Sequence, residues 1–344
     1  MRNLPGLFLF VVLLVSVSRG YEYQCEPGTD PTVCSLWNFQ NSKKNTQSSV
    51  KMPSSVKKVR LNMEQDYYER HLGINVYDSV LHLTILHNPT SVQIESNHIS
   101  DLYMPTDLQM GEFKRCSISD VHIDSSLSYS VTYLSLQDNS ITDISNFSAL
   151  VKLQTLNLEG NMIRKVDGKI FAGMHNLSTL YLGDNSIKQL DFKVFPKALV
   201  NLWLGQNQLS TINFVNVSLP ILTVLDLEGN LLGTIDLAGL GTAVPELRFL
   251  LIALNPFNQS EARSITTDLK RRNVSSSLWL MEPNCEEYMF KVSNVCFIKP
   301  EAIVEGTNFV EQSIGKALVL LVLAAILLMV FTASLRWIWH QMRN

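Results

Sequence analysis

The stretch 131–166, VTYLSLQDNSITDISNFSALVKLQTLNLEGNMIRKV, carries one spacing twice. Val131, Leu134, Leu136, Asn139, Ile141 and Ile144 are answered by Leu153, Leu156, Leu158, Asn161, Ile163 and Val166. The pattern returns at Leu177, Leu180, Leu182, Asn185 and Ile187, at Leu199, Leu202, Leu204, Asn207 and Leu209, and at Leu222, Leu225, Leu227, Asn230 and Leu232. A worn last copy holds Leu250, Ile252, Asn255 and Phe257, and the asparagines stand 22, 24, 22, 23 and 25 residues apart. In each copy two leucines, such as Leu156 and Leu158, alternate with polar residues, so a short strand points both into a core. One repeat cannot bury that face alone, whereas a stack can. The asparagine stands where the chain leaves the strand. Its amide is expected to satisfy backbone groups that would otherwise be buried unpaired, which makes it structural rather than ligand-binding.

A period of ~20–29 residues is that of leucine-rich repeats. The fold expected is an α/β solenoid, a leucine-rich-repeat horseshoe with a parallel concave sheet, plus one C-terminal transmembrane helix. Upstream the pattern fades. Val92, Ile94, Asn97, Ile99 and Leu102 make a fair copy, and Phe113, Cys116, Ile118, Val121 and Ile123 read as a degenerate one in which a valine replaces the asparagine. Val56, Val59 and Leu61 read as the first strand, and the stretch from there to Thr90 is irregular.

The two ends read as targeting segments. An apolar run, Leu7 to Val15, follows Arg2 and leads to Ser18-Arg19-Gly20, so a signal peptide is expected to end there. Ala317 to Leu335 holds no charged residue and is long enough to cross ~30 Å of hydrocarbon. A buried core helix fits its basic and indole flanks, Arg336, Trp337 and Trp339, poorly. A glycolipid-anchor signal fits poorly too, because Arg336 and Arg343 follow the apolar tail. The chain is thus divided into a signal peptide (1–20), an N-terminal cap (21–55), a solenoid of about eight repeats (56–257), a C-terminal cap (258–300), a juxtamembrane stalk (301–316), a transmembrane helix (317–335) and a short cytoplasmic tail (336–344). The expected location is the cell membrane, single-pass type I, with the ectodomain outside. Charged residues are only 17%, the net charge is -3, and no basic block interrupts the ectodomain, so nothing recommends nucleic acid as a partner.

Cys25 and Cys34 flank a Pro- and Gly-containing loop ahead of the repeats, and Cys285 and Cys296 follow them; each pair is expected to close a small disulfide loop. Cys116 stands in the place of a core leucine. It reads as a buried free thiol, an intermolecular bridge requiring that its strand be exposed. Asn146, Asn176, Asn216, Asn258 and Asn273 head Asn-x-Ser glycosylation sequons, while Asn88 precedes Pro89 and does not count.

Stacked strands make a continuous face on which a ligand is sought. Its middle column is expected to read Gln93, Ser117, Ser135, Asn157, Tyr181, Trp203, Asp226 and Leu251, with Tyr133 beside Ser135 and Phe249 beside Leu251. Tyr133, Tyr181, Trp203, Asp226 and Phe249 are the candidate partner-binding residues, since exposed aromatic rings dominate binding hot spots. Phe249 and Leu251 have a second reading, as residues covered by the C-terminal cap. No catalytic or metal-binding set is found: the 7 histidines are scattered, and neither His-x-x-x-His, Cys-x-x-Cys nor Gly-x-Ser-x-Gly occurs. Glu95, Glu159, Asp226 and Glu228 are spaced by whole repeats and read as a solvated face. No enzyme and no cofactor is expected.

In Tyr23-Gln24-Cys25 with Cys34, in its irregular early repeats and in the two-cysteine region after Asn255-Pro256-Phe257, the chain resembles the mosquito leucine-rich immune proteins. Soluble members of that family carry further cysteines and a long coiled coil, through which they pair and bind a complement-like thioester protein. This sequence has neither and looks like the membrane-anchored branch. The resemblance implies an insect cell-surface receptor for an extracellular protein or microbial ligand, acting in innate immune recognition or regulation. Only residues 336–344 follow the apolar run, so a membrane co-receptor would have to pass on any signal. A cell-adhesion or developmental recognition protein is the alternative on the same scaffold.

Overall fold

The computed structural model describes residues 21–26, 30–41, 48–63, 73–277 and 284–302. The expected signal peptide, transmembrane helix and tail, and nearly all of the stalk, lie outside the described residues. Among the described residues no helix is long and apolar enough to cross a membrane. They form two compact units, one running to Ser186 with Lys193–Asn201, the other holding Ile187–Phe192 and the chain from Leu202 onward.

The first unit is built on short strands. β1 (Glu22–Gln24) pairs with β3 (Ser49–Lys51), while β2 (Val33–Trp37), β4 (Lys58–Asn62), β6 (Ser91–Glu95), β8 (Met110–Lys114), β10 (Tyr133–Ser135), β11 (Thr155–Asn157) and β12 (Thr179–Tyr181) lie side by side in parallel. β5 (Val76–Tyr77), β7 (Asp101–Tyr103) and β9 (Asp120–His122) form a smaller parallel sheet. The register of the large sheet stacks Leu134 on Leu156 and Leu156 on Leu180, so each repeat seals the apolar row of the one before. The sheet begins at β2, inside the stretch read as cap. Cys34 and Leu36 pair with Val59 and Leu61 and are buried like them. No ladder asparagine follows that strand, which is why the spacing did not reveal it.

The asparagines do what their position suggests. Asn185 Oδ1 accepts from Ile163 N at 2.9 Å, and its Nδ2 donates to the carbonyls of Leu158, Leu182 and Gly183 at 2.9–3.1 Å. Asn161 and Asn139 repeat the arrangement one and two turns earlier, each joining its own turn to its predecessor. Each is a buried amide whose oxygen and nitrogen both find backbone partners. The residue before the asparagine sits in the left-handed region in repeat after repeat: Ser96, Asp138, Gly160 and Asp184 here, Gln206 and Gly229 in the second unit. At Gly160 (φ 67°) a side chain would also meet the Asp138 carboxylate at 2.3 Å.

One repeat is shifted from its expected register. Gly111 pairs with Val92 and Leu134, in the row of the first inward leucine, and the Phe113 ring fills the space that a leucine would take. Cys116 therefore occupies the ladder position rather than a core-leucine position, and no valine replaces the asparagine. Its amide N donates to Asn139 Oδ1, and its Sγ lies 3.2 Å from the Lys114 carbonyl and 3.6 Å from that of Ile94, echoing the asparagines' contacts. The thiol is free and buried, and burial pushes its pKa up to about 12.

In the second unit Leu202 and Trp203 of β13 (Asn201–Trp203), β14 (Val224–Asp226) and β15 (Phe249–Leu251) alternate with loops and the short helix α1 (Leu237–Ala243). Asn207, Asn230 and Asn255 continue the ladder. Helix α2 (Gln259–Arg271) is started by Asn258, whose side chain accepts from Glu261 N, and places Lys270 and Arg271 at its negative end. It buries Ala262, Ile265, Thr266 and Leu269. The chain after it brings Ser275 alongside β15, with Leu250 N donating to the Ser275 carbonyl at 2.9 Å and Ser275 N to that of Arg248. The hairpin β16 (Met289–Val292) and β17 (Val295–Ile298) completes the cap, with Phe297 buried against Phe257 and Phe290. Disulfides join Cys25 to Cys34 and Cys285 to Cys296, as their placement suggested.

Candidate protein-binding face

Because inward and outward residues alternate along a strand, the row between the buried leucines faces away from the core. In the first unit that row reads Ser35, Arg60, Gln93, Glu112, Ser135, Asn157, Tyr181. Glu112 holds the place expected for Ser117, which lies beyond the strand with φ 61°. The error has the same source as that at Cys116, namely Gly111 standing where the pattern demands an apolar side chain.

Tyr133 and Tyr181 share this face on β10 and β12, with β11 between them. Both are half-buried. Burial raises the Tyr133 pKa, and the nearby Glu112 carboxylate and Tyr181 raise it further, against a small opposing effect of the Ser135 hydroxyl. The strands earlier in this unit engage their own cations: Arg60 Nε donates to the neutral Gln93 Oε1 at 3.2 Å, and Arg115 pairs with the Glu95 carboxylate. Later the balance tips. Glu159 is pushed up by partial burial and by the carboxylates of Asp138 and Asp184, against Lys114. Glu112, Asp138 and Asp184 went unremarked in the sequence. The signal available for the last two was their place just before the ladder asparagine.

In the second unit Trp203, Asp226 and Leu251 form the corresponding row. Asp226 Oδ1 accepts from Glu228 N at 2.9 Å, and its other carboxylate oxygen lies over Gly205, where a Cβ would stand 2.6 Å away. Burial raises the Glu228 pKa. Phe249 is half-buried beside the cap strand at Ser275, and Leu251 is 7% exposed, so the covered reading describes Leu251 and only part of Phe249.

None of the sequons stands in an outward row. Asn176, Asn216, Asn258 and Asn273 are exposed, and the Asn258 amide nitrogen is left clear by a capping bond made through its oxygen. Asn146 differs: it is half-buried and its Nδ2 donates to the Val121 carbonyl at 2.6 Å. A buried polar set, Tyr77 Oη to His82 Nδ1 at 2.7 Å with His82 Nε2 3.5 Å from Asp107, has two fully buried members and so offers no approach to a substrate. Among the described residues no cluster of three or more His, Cys, Asp or Glu side chains could hold a metal ion.

The chain is a leucine-rich-repeat protein built as a parallel-sheet solenoid, a class of scaffold that typically serves protein interaction rather than catalysis. Family models for leucine-rich repeats match residues 130–172 and 152–209. Among solved structures it is similar to the leucine-rich repeat domain of APL1B, at TM-score 0.50 and 21% identity over 74% of this chain and 77% of that one. It is also similar to the LRIM1/APL1C complex, at TM-score 0.54 and 17% identity over 86% of this chain and 58% of that one. At such identities the likeness speaks for the fold. The curated proteins contain no match.

Proposed function

We propose that this protein is a cell-surface receptor without catalytic activity, anchored as a single-pass type I membrane protein, that binds an extracellular protein or microbial ligand on the outward face of its sheet. The observation that carries the reading is the half-buried aromatic rings held by rigid strands in the outward rows of each unit, Tyr133 and Tyr181 in the first and, separately, Trp203 and Phe249 in the second. Large rings fixed by a scaffold lose little freedom on binding. Innate immune recognition or regulation is the role we assign, supported by the fold shared with APL1B and with the LRIM1/APL1C complex. A membrane co-receptor would relay any signal, and glycans on Asn176, Asn216, Asn258 and Asn273 would leave the outward rows clear.

The test displays the full chain on cultured insect cells with a tag at each end. An N-terminal tag reached by antibody on intact cells, with the C-terminal tag reached only after permeabilisation, is the expected topology. Proteins captured by wild type from haemolymph should be lost with Tyr181→Ala and Trp203→Ala at equal surface abundance. Capture unchanged by both substitutions would sink the assignment of this face.

A further inference from the structure

Resting on that reading, which takes the chain through the secretory pathway, we infer that the glycan on Asn273 is a seated one. Its first sugars lie in a groove at the C-terminal end of the second unit and act as part of the cap. The groove, about 1060 Å³ in volume, lies among the turn ahead of β15, the end of α2, the segment Asn273–Ser277 and the β16–β17 turn. Its size matches the largest of the ~300–1,000 Å³ sites that hold small ligands. Asn273 is exposed and itself lines the groove.

Two features point to a sugar joined at Asn273. The first is how firmly the attachment point is held. Asn273 sits at φ 58° and its N–H donates to the Lys270 carbonyl at 3.2 Å; Val274 N donates to that of Leu269 at 2.9 Å, and Ser275 N to that of Arg248 at 2.8 Å. A sugar on so fixed a point already stands beside the groove and loses little freedom on entering it. The tether also gives it an effective concentration on the order of millimolar, which a free ligand of the same chemistry would have to exceed. The second feature is the lining. Arg248 and Lys270 supply charged donors, Ser276 and Ser293 supply hydroxyls, and Leu247 and Leu269 supply apolar surface. An N-acetylhexosamine presents the complement of each: a strong carbonyl acceptor in its acetamide, hydroxyls that both donate and accept, and a methyl group.

A matched control is built into the same unit. Asn216 heads an identical Asn-Val-Ser tripeptide, is exposed and holds φ 59°. Asn273→Gly and Asn216→Gly therefore each remove one sequon at a positive φ that glycine adopts freely. The full-length chain is produced in insect cells, with glycopeptide mass spectrometry reading occupancy at each asparagine. Asn273 should be occupied, and Asn273→Gly should melt about 3 °C below Asn216→Gly, with faster hydrogen exchange at residues 246–249 and 275–277. Introduced together with Arg248→Gln and Lys270→Gln, the Asn273→Gly loss should fall by at least half, because the sugar has already lost its charged donors. If Asn273→Gly does not fold, enzymatic removal of the glycans from folded wild type should by itself raise exchange at the same residues. An unoccupied Asn273, equal midpoints for the two glycine variants, additive losses with the Arg248 and Lys270 substitutions, or exchange unmoved by deglycosylation would each overturn the inference. If any of these occurs while the end tags report the expected topology and partner capture still depends on Tyr181 and Trp203, the receptor reading stands and the seated glycan falls.

Discussion

The repeats from Asn139 onward and the repeat around Cys116 solve one problem with different materials. A turn leaving a buried strand strands several carbonyls and amides inside the core. Asn185 answers with four hydrogen bonds at 2.9–3.1 Å, from both ends of one amide. Cys116 has only a thiol, whose weak donor faces two carbonyls at 3.2 and 3.6 Å. The difference teaches that the backbone path of the turn is fixed by the stack, and that the ladder side chain adjusts how well that path is satisfied.

The comparison is most sharply broken at the ladder itself. Asn185→Ala leaves buried carbonyls and the Ile163 N–H without partners and should cost about 3 kcal/mol or more, whereas Cys116→Ala should cost about 1 kcal/mol. Urea denaturation of both variants measures the ratio, and equal losses would mean that the asparagine amide adds nothing to what the thiol provides. A smaller effect is expected at the turn. Gly160→Ala must place a Cβ at φ 67° and against the Asp138 carboxylate, for about 1–2 kcal/mol. Asp138→Ala in the same chain should recover the share due to the contact and leave that due to the backbone, which thermal melts of the single and double variants separate.

The smallest effect lies in the irregular early repeats and depends on pH. Burial lowers the His82 pKa below 6.5, with the Asp107 charge opposing the shift. The folded chain thus binds a proton less readily than the unfolded one. The corresponding stability is complete above pH 6.5 and drains away as the pH falls from there toward the folded value. His82→Gln should flatten the dependence of the urea midpoint between about pH 7 and pH 5, and a slope unaltered by the substitution would assign it to other groups.

Much of the fold was legible in the sequence because its causes are local. Leu156 and Leu158 alternate as a strand demands, and Asn161 follows at a fixed interval, so repeat, period and inward row come from spacing alone. The shifted repeat was illegible for a reason equally physical. Gly111 has no side chain to mark it as inward, and the ring of Phe113, two residues on, supplies the missing volume. A pattern search locks onto apolar residues, not onto the space they share. The candidate face divides in the same way, with Tyr181 and Trp203 found from their register and Glu112 hidden by the Gly111 slip.

By itself, then, the sequence determined the stacked parallel repeats, the buried leucine rows, the structural asparagines and the two disulfide pairs. Each of these follows from periodicity or from placement along the chain. Only the tertiary structure decided that Cys116 serves in the ladder, that β2 already belongs to the sheet, that the Asn146 amide is occupied, that Glu112 comes to Tyr133, and that the Asp138 and Asp184 carboxylates gather about Glu159. Those facts depend on which residues of neighbouring turns come together, and a one-dimensional spacing does not record proximity between turns.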